Sequence, residues 1–338
     1  MIKLTDRINA FSTVGNILKN MSKKELHRIH QKSYAENNWF TPENVDLALH
    51  GVQNYLHHDQ LEQWTKELPQ ENPAPKQVGI VMAGNIPLVG FHDFLTILLS
   101  GHIVRAKLSS QDTFLMKYIA GLLTEIEPRF EAFIRFEERL NDADAIIATG
   151  SDNSARYFEY YFSKIPHIIR KNRTSVAVLM GEEDRAALAK LGNDIFQYFG
   201  LGCRNVSKVF VPENYNFTPL FESIEHFNTL QHHHKYRNNY DYNKSIYLVN
   251  KEPHLDNGFL LLRESQQMVS PISVLYYEYY RSQEDLQRKI EAHMDKIQCI
   301  VAEKAWYPQS ISFGKTQQPA LWDYADDVDT LAFVSLLK

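Results

Sequence analysis

The chain predicts an α/β protein: two doubly wound parallel-sheet domains preceded by a helical segment. Three observations predict it. Residues 1 to about 70 carry apolar side chains at helical spacings of three and four, with no strand-like run. From "QVGIVMAG" onward, short β-rich apolar runs alternate with helix-period segments. The alternation begins a second cycle at "SVAVLMG". Strands separated by helices pair in parallel, because each crossover must return the chain to the same edge of the sheet.

The elements follow in order. "TDRINAFSTVGNILKNM" and "TPENVDLALHGVQNYL" read as helices, and Thr41-Pro42-Glu43-Asn44 is a start signal with proline in the first turn. "LPQENPAPK" is a polar, proline-rich linker. "QVGIVMAG" is a buried strand, "NIPLVGFHDFLTILLSG" a helix ending at Gly101, and "HIVRAKLSS" a strand. "DTFLMKYIAGLLTEIEP" is a helix and "FEAFIRFEE" a third strand; "ADAIIATGS" is a strand running into Gly150-Ser151, before the helix "DNSARYFEYYFSKIP". The second cycle holds the strand "SVAVLMG", the helix "EDRAALAKLGNDIFQYFG" and the strand "VSKVFVP". Further strand candidates are "NKSIYLVN" and "ISVLYYEYY", followed by the helix "QEDLQRKIEAHMDK" and the strand "IQCIVAE". "HFNTLQHHHKYRNNYDYNK" reads as a polar excursion between elements, and its three histidines as a solvated loop, since adjacent residues on regular structure cannot all face one ion. No metal site is expected. This divides the chain into residues 1–70, a first α/β domain over 75–180, a second over 181–310 and a tail over 311–338, with the boundary near residue 180.

Composition bounds the function. A chain of 338 residues, 44% hydrophobic and 23% charged, is an ordinary globular sequence long enough for two domains. The net charge of -5 gives no bulk basic surface for nucleic acid or anionic membrane. Two cysteines cannot build a disulfide framework and fit a reducing compartment. The N-terminus has no signal-peptide pattern, and His92, Asp93 and Gly101 interrupt the longest apolar run, so neither export nor a membrane span is expected and a cytoplasmic location is.

The stretch "FQYFGLGCRNVSKVFVP" places Cys203 on a glycine-flanked turn between a helix and a strand. Two readings stand. A nucleophilic cysteine needs exposure and a depressed pKa, a turn offers backbone N–H groups to developing charge, and Arg204 adjoins the sulfur in sequence. Alternatively it is a small buried hydrophobe closing a helix end. Cys299, among apolar residues in "DKIQCIVAE", reads as structural. His92 and Asp93 read as packing or capping residues, with a proton relay by His92 as the other possibility.

The order of signals bears on that choice. "AGNIPLVGF" follows the first strand, "RAKLSS" the second, "IATGSDNSARYF" a later one, and the glycine-cysteine turn comes last. This order resembles the aldehyde dehydrogenase superfamily. "GLGCRNVSKVFVP" with "FGKTQQPALWDYADDVDTLAFV" resembles its LuxC-type acyl-CoA reductase branch, over roughly residues 75 to 338. The resemblance implies an aldehyde-dehydrogenase-like fold. Its first domain would bind nucleotide, completed by part of the C-terminal region, and its second would carry the catalytic cysteine. Cys203 would attack an acyl-CoA or other acyl thioester, giving an acyl-enzyme that hydride discharges as aldehyde. Asn85 and the backbone N–H of Cys203 would stabilise the oxyanion; read alone, Asn85 is a turn former before Ile-Pro. Lys107 would hold the adenine ribose, or is a solvated strand-end lysine. Gly150 and Ser151 would meet the pyrophosphate at a helix N-terminus, or Ser151 simply caps that helix. No G-x-G-x-x-G follows any strand, so an ordinary Rossmann fingerprint is missing.

Three departures refine the expectation. Where NAD-preferring members carry a glutamate after the lysine, this chain has Ser110, so Ser109 or Ser110 would bind a 2′-phosphate; NADPH is the expected cofactor, with NADH also admitted. Where hydrolytic members carry a water-activating glutamate, this chain reads "HIIRKNRT", which favours acyl-CoA chemistry over hydrolysis. The nicotinamide-ribose loop matches only "RESQQMVSPISVLYY", with Glu264 as a weak cofactor contact and Gln267 in the alternative register. That loop motivates two further readings: a non-catalytic nucleotide- or acyl-binding protein, and a cysteine acyltransferase or hydrolase without redox chemistry. The superfamily's dimers and tetramers imply a homo-oligomer, built on the "HFNTLQHHHKYRNNYDYNKSIYLVN" region or a C-terminal strand "DTLAFVSLLK".

Overall fold

The structure, a computed structural model, describes residues 1–337 and falls into two compact units: Met1–Asn172 with Ala320–Lys338, and Arg173–Pro319.

The first unit opens with four helices: α1 (Leu4–Lys19), α2 (Lys23–Glu36), α3 (Pro42–Tyr55) and α4 (His58–Trp64). Each start has a local cause where a cap exists. The Ser22 hydroxyl accepts the Glu25 N–H, and Thr41 accepts the Asn44 N–H ahead of Pro42. The sheet follows: β1 (Gln77–Val81), α5 (Phe91–Leu99), β2 (Ile103–Lys107), α6 (Phe114–Ile126), β3 (Ile134–Phe136), β4 (Ala145–Thr149), α7 (Asp152–Phe162) and β5 (His167–Arg170). The strands pair in parallel in the order β3-β2-β1-β4-β5. Helix α5 starts only at Phe91, because Asn85 to Gly90 form a turn in which Leu88 takes a left-handed φ of 58°. Of "FEAFIRFEE" only three residues reach the sheet; a 3₁₀ helix, Pro128–Phe133, takes up the start.

The second unit holds β6 (Thr174–Val178), α8 (Arg185–Phe196), β7 (Val206–Pro212), α9 (Thr218–Ser223), α10 (His234–Val249), β8 (Leu255–Asp256), β9 (Leu261–Glu264), β10 (Val274–Tyr280), α11 (Gln283–Glu291), β11 (Ile297–Ala302) and β12 (Ile311–Ser312). Their order is β12-β11-β6-β7-β10-β9-β8, parallel throughout except the β8–β9 pair. Helices cover both faces. Leu188, Leu191 and Ile195 of α8 pack on Val209, Val211 and Leu275, while Leu286 and Ile290 of α11 pack on Val176, Val178 and Phe210. Every residue of β6 is therefore buried, the signature of a strand with no solvent face. The remaining segment rejoins the first unit and forms α12 (Thr330–Ser335), which packs on α5.

Several expectations are corrected. "NKSIYLVN" is the end of helix α10, not a strand, and the polar excursion before it is a 3₁₀ helix, Glu225–His232, running into the same helix. The buried side chains are Tyr236, Tyr240, Asn243 and Tyr247, spaced by four, three and four, so the helical stripe straddles two segments that look unlike each other. His233 caps α10 rather than lying in a loop, its Nδ1 accepting the Tyr236 N–H at 3.4 Å. "DTLAFVSLLK" is not a strand: Asp329 accepts the Ala332 N–H and starts α12, with Thr330 and Val334 buried one turn apart; its final Lys338 lies outside the described residues. Glu183 precedes α8 instead of starting it, accepting the N–H groups of Met180 and Gly181, and Asp184 is the cap. Among the described residues, no helix is long and apolar enough to cross a membrane.

Candidate functional site

In the first unit the chain runs from β1 to β2 to β3, then returns to place β4 on the other side of β1. Loops leaving the C-terminal ends of β1 and β4 therefore diverge, and an open parallel sheet offers its ligand crevice at such a switch. Six of the candidate residues follow C-terminal strand ends on this edge. Asn85 is exposed on the turn after β1. Lys107 ends β2, exposed, its carbonyl accepting the Met82 N–H at 3.0 Å. Ser109 and Ser110 follow it. Ser109 is engaged internally: its Oγ accepts the Gln111 N–H at 3.2 Å, and a Cβ on Gly84 would stand 2.4 Å from that oxygen, so only glycine fits there. Ser110 is exposed. Gly150 follows β4, its N–H donating to the Arg170 carbonyl at 3.3 Å, and a Cβ there would meet Ser154 at 2.8 Å. Ser151 caps α7, accepting the Ser154 N–H at 3.2 Å.

This edge fits a dinucleotide by its chemistry: a strand-end lysine, an exposed serine beside it, and a helix N-terminus whose first N–H groups and dipole favour an anion. "HIIRKNRT" contains no acid. Its Arg170 is buried and held by both oxygens of Asp93, at 2.6 and 2.9 Å, and by Thr330 at 3.0 Å. His92 is a packed side chain, with Nε2 2.8 Å from the Leu321 carbonyl and rings of Tyr55, Trp64 and Tyr324 around it.

In the second unit Cys203 is exposed on the turn that leads into β7, at the N-terminal edge of the sheet. The approach is tightly wound: Tyr198, Phe199 and Gly200 have consecutive φ values of 52°, 58° and 77°. Left-handed backbone costs a non-glycine residue about 1 kcal/mol or more, so tertiary contacts must enforce it. The burial of both aromatic side chains does so, with Phe199 stacked on His233 and Tyr236. Asn205 then fixes the turn. Its Oδ1 accepts the Gly202 N–H at 2.8 Å, and its Nδ2 donates to the carbonyls of Asp194 and Gln197 at 3.1 and 2.9 Å. Ser175 Oγ donates to the Cys203 carbonyl at 3.1 Å. The sulfur thus rides on backbone clamped from β6 and from the end of α8. Arg204, expected beside that sulfur, extends Nη1 to within 3.3 Å of Cys299 Sγ.

Glu264 ends β9 and is exposed, in register with Tyr277 of β10. It is separated from β7 by β10. The segment that does approach the start of β7 is four residues on, where the Met268 carbonyl accepts the Ser207 hydroxyl at 2.7 Å. Sequence reasoning missed Asn205, the Asp93–Arg170 pair, and Asp112, whose Oδ2 accepts the Leu88 N–H at 2.7 Å in the turn that carries Asn85. The only available signal was polar residues inside otherwise apolar or turn segments.

No protein-family profile and no curated protein sequence matches the chain. Solved structures do. A NAD-dependent benzaldehyde dehydrogenase from Corynebacterium glutamicum superposes with a TM-score of 0.68 at 11% identity, covering 92% of this chain and 80% of its own. A NAD-dependent aldehyde dehydrogenase from Sinorhizobium meliloti gives 0.67 at 11%, covering 94% and 72%. A Mycobacterium tuberculosis aldehyde dehydrogenase complexed with NAD+ gives 0.63 at 12%, covering 89% and 73%. With a parallel five-stranded sheet and a seven-stranded sheet that is parallel except at its β8–β9 edge, the chain has the aldehyde-dehydrogenase fold.

Proposed function

We propose that the chain reduces a fatty acyl-CoA, or a related acyl thioester, to the aldehyde through an acyl-enzyme on Cys203. The observation that carries this reading is the exposed thiol on the Asn205-clamped turn at the head of β7. The exposure of Cys203 supports this reading over that of a buried, inert cysteine. The Cys203 thiolate attacks the thioester carbonyl; the bond to the CoA sulfur breaks and CoA leaves as the thiol after taking up a proton. By the resemblance to the aldehyde dehydrogenase superfamily, the Asn85 amide would donate to the oxyanion of that step. Replacing the Cys203–acyl bond by C–H then frees the aldehyde and restores the thiolate.

A reduced nicotinamide dinucleotide, when bound, supplies the hydride. Lys107, Ser110 and the N-terminus of α7 would hold it. Ser110 is the better 2′-phosphate partner, since the Ser109 hydroxyl is already engaged, and the missing carboxylate after Lys107 supports NADPH over NADH. The absence of a carboxylate from "HIIRKNRT", whose Arg170 is buried and ion-paired with Asp93, supports thiol exchange over hydrolysis. Glu264 would contact the cofactor only from the far side of β10 relative to β7.

Incubation with radiolabelled acyl-CoA in the absence of cofactor tests the reading. Wild type is expected to retain label on protein, Cys203→Ala to retain none, and NADPH to discharge the label as aldehyde faster than NADH. Equal labelling of both proteins removes the nucleophile. Label that no dinucleotide discharges favours a cysteine acyltransferase, and cofactor binding without any label favours a binding protein.

A further inference from the structure

We propose that Asp112 is a positioning residue: its buried carboxylate clamps the Leu88 N–H and so fixes the direction in which the Asn85 amide points. The inference rests on the reading in which that amide stabilises an oxyanion, and every contact used lies within the first unit.

The turn from Gly84 to Leu88 is held at both ends. At its start, the Gly84 carbonyl accepts Asn37 Nδ2 at 3.3 Å, and the glycine packs against Ser109 with no room for a Cβ. At its end, Leu88 has a left-handed φ of 58° and donates its N–H to Asp112 Oδ2 at 2.7 Å. Pro87, which has no N–H, stiffens the span. Asn85 is the exposed residue on this span. Asp112 is itself fixed. Its N–H donates to the Ser109 carbonyl at 3.2 Å, and the next two N–H groups, of Thr113 and Phe114, donate to Glu36 Oε2 at 3.0 and 2.9 Å.

The second carboxyl oxygen of Asp112 is buried without a hydrogen-bond partner. Burial, with the repulsion of Glu36 from α2 added to it, pushes the carboxyl up to about 7, against the lowering effect of the Leu88 bond. The ionised clamp is charge-assisted and roughly twice as strong as the neutral one. Asp112→Asn keeps the shape and an acceptor oxygen but removes the charge.

Two measurements test the clamp. The Leu88 amide proton, followed by NMR without substrate, is expected to move downfield in wild type as pH rises through about 7, and to lose that step in Asp112→Asn. A Leu88 amide that does not titrate in wild type, or titrates alike in both, overturns the proposal. In turnover, Asp112→Asn is expected to lower kcat about tenfold, less than the hundredfold or more typical for losing an oxyanion donor, with KM for the thioester little changed. In an Asn85→Ala background the same substitution is expected to have no further effect on kcat. Equal loss in both backgrounds means a merely structural role and overturns it. Absence of acyl-thioester turnover in wild type would overturn the functional reading alone, because the Leu88 titration is read without substrate.

Discussion

Asn205 does for the Cys203 turn what Asp112 does for the Asn85 turn. It satisfies three backbone groups from inside a buried position, and nothing apolar of similar size can replace it. Asn205→Ala would take this partner from the buried Asp194 carbonyl and from the half-buried Gly202 N–H and Gln197 carbonyl, at about 1 to 3 kcal/mol for a group left dry and less where water can enter. The expected net loss is about 3 kcal/mol, read as a lower urea midpoint with an unchanged slope. Cys203→Ala truncates a small exposed side chain and is expected to unfold at nearly the wild-type midpoint. Cys203 itself was legible because cysteine is rare in this chain and its turn is flanked by glycine. Asn205 was not, since "RNV" looks like any turn.

At the scale of elements, most boundaries follow from local chemistry and a few from contacts the sequence does not display. Helix α7 begins where it should because Ser151 accepts the Ser154 N–H. Ser151→Ala is expected to cost about 1 kcal/mol of stability. Under the proposed function it is also expected to raise the Kd for NADPH severalfold, measured by nicotinamide fluorescence, because a frayed first turn presents its N–H groups less firmly. Helix α10 was hidden for the opposite reason. Its buried face is built from tyrosines and an asparagine, so hydrophobicity alone shows a polar stretch followed by a short β-like run. The cores that decide are Leu261, Val274 and Tyr276, against which Tyr240 and Tyr247 pack. The tight winding at Tyr198 and Phe199 was equally invisible, because non-glycine residues enter the left-handed region only under tertiary compulsion.

At the scale of the whole molecule, the segment from Ala320 rejoins the first unit through buried polar bonds. Arg170 donates to Thr330, Trp64 Nε1 to the Tyr324 hydroxyl, and His102 Nε2 to the Val334 carbonyl at 3.0 Å. The Lys76 N–H donates to His102 Nδ1 at 3.0 Å, which requires the neutral ring. Burial lowers the His102 pKa below its ordinary value. Its stability contribution is therefore present above the unfolded value of about 6.5 and lost as pH falls below it. Asp112 acts with the opposite sign: its raised pKa gives stability that is present below the unfolded value of 3.8 and gone once pH has risen through about 7. The two slopes oppose each other in mildly acidic solution. Thermal melts are expected to show Asp112→Asn rising in stability with pH up to about 6.5 more steeply than wild type, and His102→Gln falling up to about 7. Parallel profiles for all three proteins would remove both assignments.

What the sequence determined by itself was the alternation of strand and helix, the glycine-bounded turns after β1 and β4, and the cysteine turn before β7. Periodicity, caps and turn residues act over a few positions, so they are written locally. What only the tertiary structure decided was which polar groups are buried and whom they bind. Asn205 to the α8 end, Asp112 to Leu88 and Arg170 to Asp93 join residues brought together by folding. The desolvation that makes each bond matter exists only once the sheets and helices have excluded water.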